Sequence, residues 1–185
     1  NGADHSAIQV FKVTTMEQVA EYRGKMPLDT FAMLIYDVSK QYGMCLTVVE
    51  NNSIGISVIS KLQDMNHPNL YWSRKSSHEQ VDKHMAEDQA GVICGFSTTM
   101  KTRPLVVAKL EEFVRNKVIK INSIRLANEL KTFVWRNGKA QAMRSYNDDL
   151  VMSAAISCWV RGTALVANTR EAKYSNAMLS SFAAK

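Results

Sequence analysis

Three carboxylates stand at the edges of apolar stretches, where a charge needs a partner. Glu50 ends the apolar run LTVV at residues 46–49, and Asp148 and Asp149 stand where the apolar pattern of a last helix begins. An isolated carboxylate is costly in a protein interior. Hard divalent cations prefer oxygen ligands, and a cation shared between a strand end and a helix start would neutralise these charges. The three acids therefore predict a site for Mg²⁺ or Mn²⁺.

Such a site could hydrolyse phosphodiesters, because carboxylates that converge on one point can hold two ions about 3.5–4 Å apart. Simpler interpretations exist for each element. Asp148 and Asp149 could cap a helix and interact with its dipole, which is worth about 1 kcal/mol. Glu50 could be an exposed residue at the start of a loop.

The charge of the chain is concentrated in its second half. Residues 1–92 carry 8 Lys and Arg against 11 Asp and Glu, whereas residues 93–185 carry 15 against 6, which gives net charges of −3 and +9. A basic half indicates a polyanionic partner, with nucleic acid first, although a solvated basic surface would look the same. The candidate DNA contacts lie in a helix-start loop and a hairpin near Asp149: Lys101, Arg103, Arg136, Lys139 and Arg144. Each of these could instead be a solvated surface charge.

The composition narrows the class of protein. A chain of 185 residues with 46% hydrophobic residues is long enough for one domain with a core of its own. No segment has the length of a membrane span or the pattern of a signal peptide, so we expect a protein that is not secreted. The three cysteines form no CxxC pair, which favours reduced core residues. The sequence contains no P-loop motif GxxxxGK[ST], no zinc-ligand spacing and no nucleophile motif GxSxG. The tryptophans, Trp135 included, are expected to pack in the core or in a hairpin.

Strands and helices are predicted to alternate along the chain, as in an α/β fold, and these elements position the acids. Alternating residues predict a hairpin from strands at Ala7–Val13 and Val19–Tyr22, and helical spacing predicts a helix from Phe31 to Tyr42. Cys45–Val49 reads as a strand covered on both faces. Further along, a hairpin turns at Asn137-Gly138, and the last helix runs from about Asp148 to Val160. In such folds, ligands bind beyond the carboxyl ends of the strands.

Three segments carry a resemblance to a known family. VVENNSIGISV and YNDDLVMS are similar to the second and third acidic motifs of the nuclease domain in large terminase subunits of tailed phages, the T4-like group most of all. GADHSAIQVF resembles the stretch that follows the family's first acidic motif. The order of elements agrees as well, and the resemblance covers most of residues 2–162.

The resemblance implies an RNase H-like fold, with a central mixed β-sheet flanked by helices and an auxiliary β-hairpin. It implies a nuclease domain over residues 1–167 and a C-terminal tail over 168–185. Glu50 matches the second acid, and Asp149 is the first choice for the third, with Asp148 as the alternative. Asp4 matches a further acidic position that could reach the metal or cap a turn. Such domains use Mg²⁺ or Mn²⁺ to cut concatemeric viral DNA in the host cytoplasm, together with an N-terminal packaging ATPase, the portal and the small terminase subunit.

The sequence departs from the family at its first acid. That acid lies on a strand just before the Gly-x-Asp segment, and the sequence begins at Asn1, inside the following turn. We therefore expect the chain as given to bind metal weakly and to have impaired activity. Two other functions stay open: another RNase H-like nuclease, such as a junction resolvase or recombinase, and a non-catalytic module that docks on DNA or on the portal.

Overall fold

A computed structural model describes residues 5–75, 81, 90–136, 138–162 and 164–165. The predictions for Asp4, for Asn137 in the hairpin turn and for the tail 168–185 lie outside these residues, as does most of the polar segment 73–90, which we expected to form an excursion from the fold. The described strands and helices, in chain order, are β1 Ser6–Lys12, β2 Glu17–Gly24, α1 Leu28–Gln41, α2 Ser53–Asp64, β3 Trp72–Arg74, β4 Val92–Cys94, α3 Thr102–Arg115, α4 Ile124–Lys131, β5 Phe133–Arg136, β6 Lys139–Ala142 and α5 149–162.

The two hairpins predicted on either side of the helices are present. β1 pairs antiparallel with β2, with an irregular register between Val10 and Phe11, and β5 pairs antiparallel with β6. The predicted first helix is also confirmed, although it begins earlier, at Leu28 directly after Pro27. The alternating and helical hydrophobic patterns were therefore sufficient to find these elements.

The segment that carries Glu50 differs from the predicted continuous strand. Residues 45–50 are extended but form only two isolated parallel bridges, Thr47 with Leu70 and Glu50 with Phe96. The segment changes partner after two residues: Tyr71 N donates to Thr47 O at 2.9 Å, and Phe96 N donates to Val49 O at 2.9 Å. Each pairing is too short for a ladder. The described strands form three two-stranded antiparallel sheets, and the one central mixed sheet that we expected is not confirmed.

Helices pack on both faces of these extended segments. Alternate residues of β1 go to different clusters, since Ala7 and Phe11 pack against a cluster built on α3 and α5, and Ile8 packs against a cluster built on α1 and α2. Residues 46–49 divide in the same way, with Val48 in the first cluster and Val49 in the second. This division is the period of two of an extended chain. The result is a layered arrangement of helices and strands, and none of the described helices is long and apolar enough to cross a bilayer.

Two glycines fix the backbone at Glu50. A Cβ on Gly55, in the first turn of α2, would collide with the Glu50 carbonyl oxygen, and a Cβ on Gly95 would lie 2.5 Å from the Val49 carbonyl oxygen. Asn51 adds two hydrogen bonds, from its backbone N to Phe96 O at 2.7 Å and from Nδ2 to Cys94 O at 2.6 Å. The turn after the strand end is therefore closely packed, and the backbone of Glu50 has little freedom.

This packing predicts a difference between two glycines of similar conformation. Gly95 and Gly91 have φ values of +89° and +86°, but among the described residues, chain neighbours aside, no atom lies within 4 Å of a Cβ placed on Gly91. We expect Gly91→Ala to lower the free energy of unfolding by about 1 kcal/mol through backbone strain, and Gly95→Ala by about 2 kcal/mol or more because the Val49 backbone must also move. Urea denaturation of both variants measures this. Equal losses would show that the contact with Val49 relaxes without cost.

Candidate functional site

The start of α5 is capped by a residue from another helix. The Asp148 carbonyl accepts the first helical hydrogen bond, from Met152 N at 2.8 Å, so Asp148 occupies the N-cap position. The side chain at this position commonly accepts from the second or third helical N–H. Here Glu129 of α4 accepts both, from Leu150 N at 2.9 Å and from Val151 N at 3.3 Å. The interpretation that the Asp148 carboxylate is a local cap therefore does not describe this helix.

Glu129 is a buried carboxylate that the sequence analysis did not single out. Desolvation raises the pKa of its carboxyl group, and this outweighs the helix N–H donors and Arg23, which lower it. Arg23 Nη1 lies 3.3 Å from Glu129 Oε1. The available signal was a Glu three residues after Leu126 on a short amphipathic helix, which places a charge on the buried face.

Each of the two aspartates lies beside an arginine. Arg103 Nη2 is 2.5 Å from Asp148 Oδ2, and Arg103 Nε donates to Ala140 O of β6 at 3.1 Å. Arg23 Nε lies 3.8 Å from Asp149 Oδ2, a looser contact than that of Asp148. Two guanidinium groups thus lie within 4 Å of three carboxylates, those of Glu129, Asp148 and Asp149. Nothing in the sequence near Arg23 indicated this position, because the pairing joins residues more than a hundred positions apart.

Glu50 has a closely packed backbone, but its side chain is not engaged by any described residue. It is half-buried, and its side chain makes no hydrogen bond or ion pair with any residue in the described ranges. The loop that follows its bridge partner Phe96 leads towards the aspartates. Thr102 Oγ1 donates to Ser97 O at 2.8 Å, and the next residue is the Arg103 that pairs with Asp148. The strand end and the helix start are therefore connected through residues 96–103.

The predicted DNA contacts divide into two groups. Arg103 is half-buried and engaged with Asp148, whereas the other four are exposed: Lys101, Arg136, Lys139 and Arg144. Arg136 and Lys139 are directly paired across the β5–β6 hairpin. The hairpin is anchored close to the aspartates, since Arg103 joins Ala140 O to Asp148. Beside the aspartates, a surface cavity of about 300 Å³ is lined by Arg23, Glu129 and the turn at Ser145, Tyr146 and Asn147 among others.

The described residues supply metal-ligand oxygens but not a complete cage. Within residues 5–75, 81, 90–136, 138–162 and 164–165, no group of three or more His, Cys, Asp and Glu side chains is placed to hold an ion. Mg²⁺ commonly uses only one or two carboxylates and completes its shell with water and substrate phosphates. The carboxylates of Glu50 and Asp149 fit that mode of binding in donor type.

The arrangement of helices and strands is that of large terminase nuclease domains. No family model matches the sequence. Among solved structures, the large terminase nuclease of the thermophilic phage G20c with bound cobalt is similar, with a TM-score of 0.65 and 15% sequence identity over 85% of this chain and 76% of that one. The same nuclease with bound magnesium gives a TM-score of 0.64 and 15% identity over 84% and 74%. The family resemblance seen in the three sequence segments is confirmed at the level of the fold.

Proposed function

We propose that this chain is a metal-dependent DNA endonuclease domain of RNase H-like architecture that cuts concatemeric viral DNA during genome packaging. The observation that carries the proposal is the capping of α5 by Glu129. Because Glu129 accepts from Leu150 N and Val151 N, the Asp148 carboxylate is not needed to cap these two N–H groups. The adjacent aspartates therefore offer carboxylate oxygens that a divalent cation could bind.

Glu50 and Asp149 would hold the ion, with Asp148 as the alternative and Asp4 as a further candidate. Asp149 is the first choice because Asp148 is held by Arg103 Nη2 at 2.5 Å. Two ions, Mg²⁺ or Mn²⁺, are proposed, and when bound they supply charge stabilisation and activation of water for phosphodiester hydrolysis. The similar nuclease from phage G20c has been crystallised with cobalt and with magnesium.

The protein's own residues would position these carboxylates. Arg103 holds Asp148 against the hairpin strand β6, and Arg23 lies between Glu129 and Asp149. Arg23 acts in this proposal as a tethered cation that reduces the repulsion between Asp149 and Glu129. Gly55 and Gly95 allow close packing against the backbone at Glu50 and Val49.

DNA would bind along the exposed cations of the helix-start loop and the hairpin: Lys101, Arg136, Lys139 and Arg144. Arg103 is included as a contact only if DNA displaces it from Asp148. Phosphate contacts of this kind give affinity that falls steeply with salt and carries little sequence information. In the packaging context, the domain would act in the host cytoplasm with an N-terminal ATPase domain, the portal and the small terminase subunit.

A plasmid-cleavage assay tests the proposal. We expect supercoiled plasmid to be nicked and linearised in Mn²⁺ or Mg²⁺, and the activity to disappear with EDTA and to fall as salt rises. A linear duplex and a four-way junction of the same sequence are compared in parallel. A strong preference for the junction would indicate a resolvase, and metal-independent binding without cleavage would indicate a docking module.

A further inference from the structure

The β5–β6 hairpin and the turn after it expose two aromatic side chains, and one of them, Trp135, was expected to pack in the core or in a hairpin. Trp135 is 56% exposed and Tyr146, in the turn after β6, is 58% exposed. Trp135 and Phe133 lie on the same face of β5, yet only Phe133 packs against the core. Trp135 therefore offers an exposed aromatic ring on the hairpin.

Every charged side chain of the segment around this hairpin, residues 131–146, is positive. Residues 131–146 contain four cations and no carboxylate: Lys131, Arg136, Lys139 and Arg144. None of these four forms an ion pair with a residue in the described part of the chain. By contrast, Lys109, Arg115, Lys120 and Arg125 are all paired with glutamates. Cations without an ion pair in the described part of the chain and exposed aromatic rings thus coincide on the hairpin and the residues that flank it.

The strand that carries Trp135 is linked to one of the candidate aspartates. Trp135 is directly opposite Ala140, and the Ala140 carbonyl accepts the Nε–H of the Arg103 that pairs with Asp148. One cross-strand pair and one arginine thus connect the backbone of Trp135 to the Asp148 carboxylate. Nucleic acid held by the hairpin cations, with a phosphate at this acid, would lie along the strand that carries the ring.

We propose that Trp135 is a stacking platform for an unpaired DNA base, and that the hairpin binds a single-stranded stretch of DNA next to the cleavage site. Cations that follow a backbone, combined with an aromatic face, are the combination that single-stranded nucleic acid requires. A closed duplex offers its phosphates to the cations but no base face to the ring. The inference rests on the proposed function, because it takes DNA as the polyanion.

Binding measured in EDTA separates this inference from catalysis. Fluorescence anisotropy with a dye-labelled oligothymidylate at low salt should give about tenfold weaker binding for Trp135→Ala and Trp135→Leu, and a loss of about threefold or less for Trp135→Tyr, which keeps an aromatic face. The leucine variant preserves apolar volume, so a common defect of both variants cannot come from lost packing alone. Tyr42→Ala is the matched control, since Tyr42 is 41% exposed at the end of α1, and its binding should equal that of the wild type. Thermal melting confirms that each variant is folded.

For a blunt duplex of matched length, we expect almost no effect of the same substitution. The affinity of Trp135→Leu for this duplex should differ from that of the wild type by less than about twofold, because phosphate contacts dominate in duplex binding. Wild-type affinity of the leucine variant for oligothymidylate would overturn the proposal, and so would equal losses for single strand and duplex. Loss of a concentration-dependent dimer in Trp135→Leu, seen by sedimentation, would show that a second copy of the chain covers the ring. Absence of plasmid cleavage would overturn the proposed function while leaving these binding results intact.

Discussion

Glu50→Gln and Asp149→Asn should each reduce metal-dependent plasmid cleavage by roughly a hundredfold or more. Both changes keep the size of the side chain and remove one negative charge from the proposed ion site. The loss arises because an amide oxygen is a weaker ligand for a hard cation than a carboxylate. Initial rates at saturating Mn²⁺ give the effect on cleavage, and isothermal titration with Mn²⁺ in the absence of DNA gives the effect on ion affinity.

Two further substitutions show whether the effect is specific. Glu111→Gln removes an exposed carboxylate on α3 that pairs only with Arg115, and it should leave the rate unchanged. Asp148→Asn should cost less than Asp149→Asn, because Asp148 is already engaged by Arg103 at 2.5 Å. Unchanged cleavage in both Glu50→Gln and Asp149→Asn would point to a contaminating nuclease. A larger loss in Asp148→Asn would exchange the roles of the two aspartates.

Glu129→Ala should lower the free energy of unfolding by about 3 kcal/mol. The substitution removes the acceptor of two helix N–H groups, at Leu150 and Val151, and leaves Arg23 beside Asp149 without its buried partner. Groups that lose a buried partner cannot turn to water, so they keep the full cost of desolvation. The matched control is Glu111→Ala, which breaks an exposed pair and should change stability by less than about 0.5 kcal/mol. Similar losses in both variants, measured by urea denaturation, would contradict the capping role.

The pKa of Glu129 adds a prediction about pH. Desolvation raises this pKa in the folded protein, so the folded state holds the proton more tightly than the unfolded chain does. The contribution of Glu129 to the free energy of unfolding is therefore fully present below the pKa of the unfolded state and is lost as pH rises through the pKa of the folded state. The stability of the wild type relative to Glu129→Gln should accordingly decline from pH 4 towards pH 8. An increase over the same range would show that Arg23 and the helix N–H groups outweigh burial.

The two acidic motifs were visible in the sequence because their signals are local. An apolar run that ends in Glu50, and a carboxylate pair before a helical pattern, need only the neighbouring residues to be read. Both hairpins and the first helix were found for the same reason, since hydrophobic periodicity and the Asn-Gly turn signal are properties of adjacent positions. Sequence alone could not distinguish a functional aspartate pair from a helix cap, because both use the same residues at the same place.

The chain itself determined which carboxylates could do chemistry, which half is basic, and that helices and strands would alternate. Only the tertiary structure decided which groups those carboxylates contact. Glu129 reaches α5 from twenty-one residues away, and Arg23 approaches Asp149 from the opposite end of the chain. The tertiary structure also decided that Trp135 is exposed and that the segment ending in Glu50 forms isolated bridges and not a continuous strand. Hydrophobic periodicity shows which face of an element is apolar, but long-range packing decides which other element covers that face. The capping of α5 and the position of its acids depend on this packing.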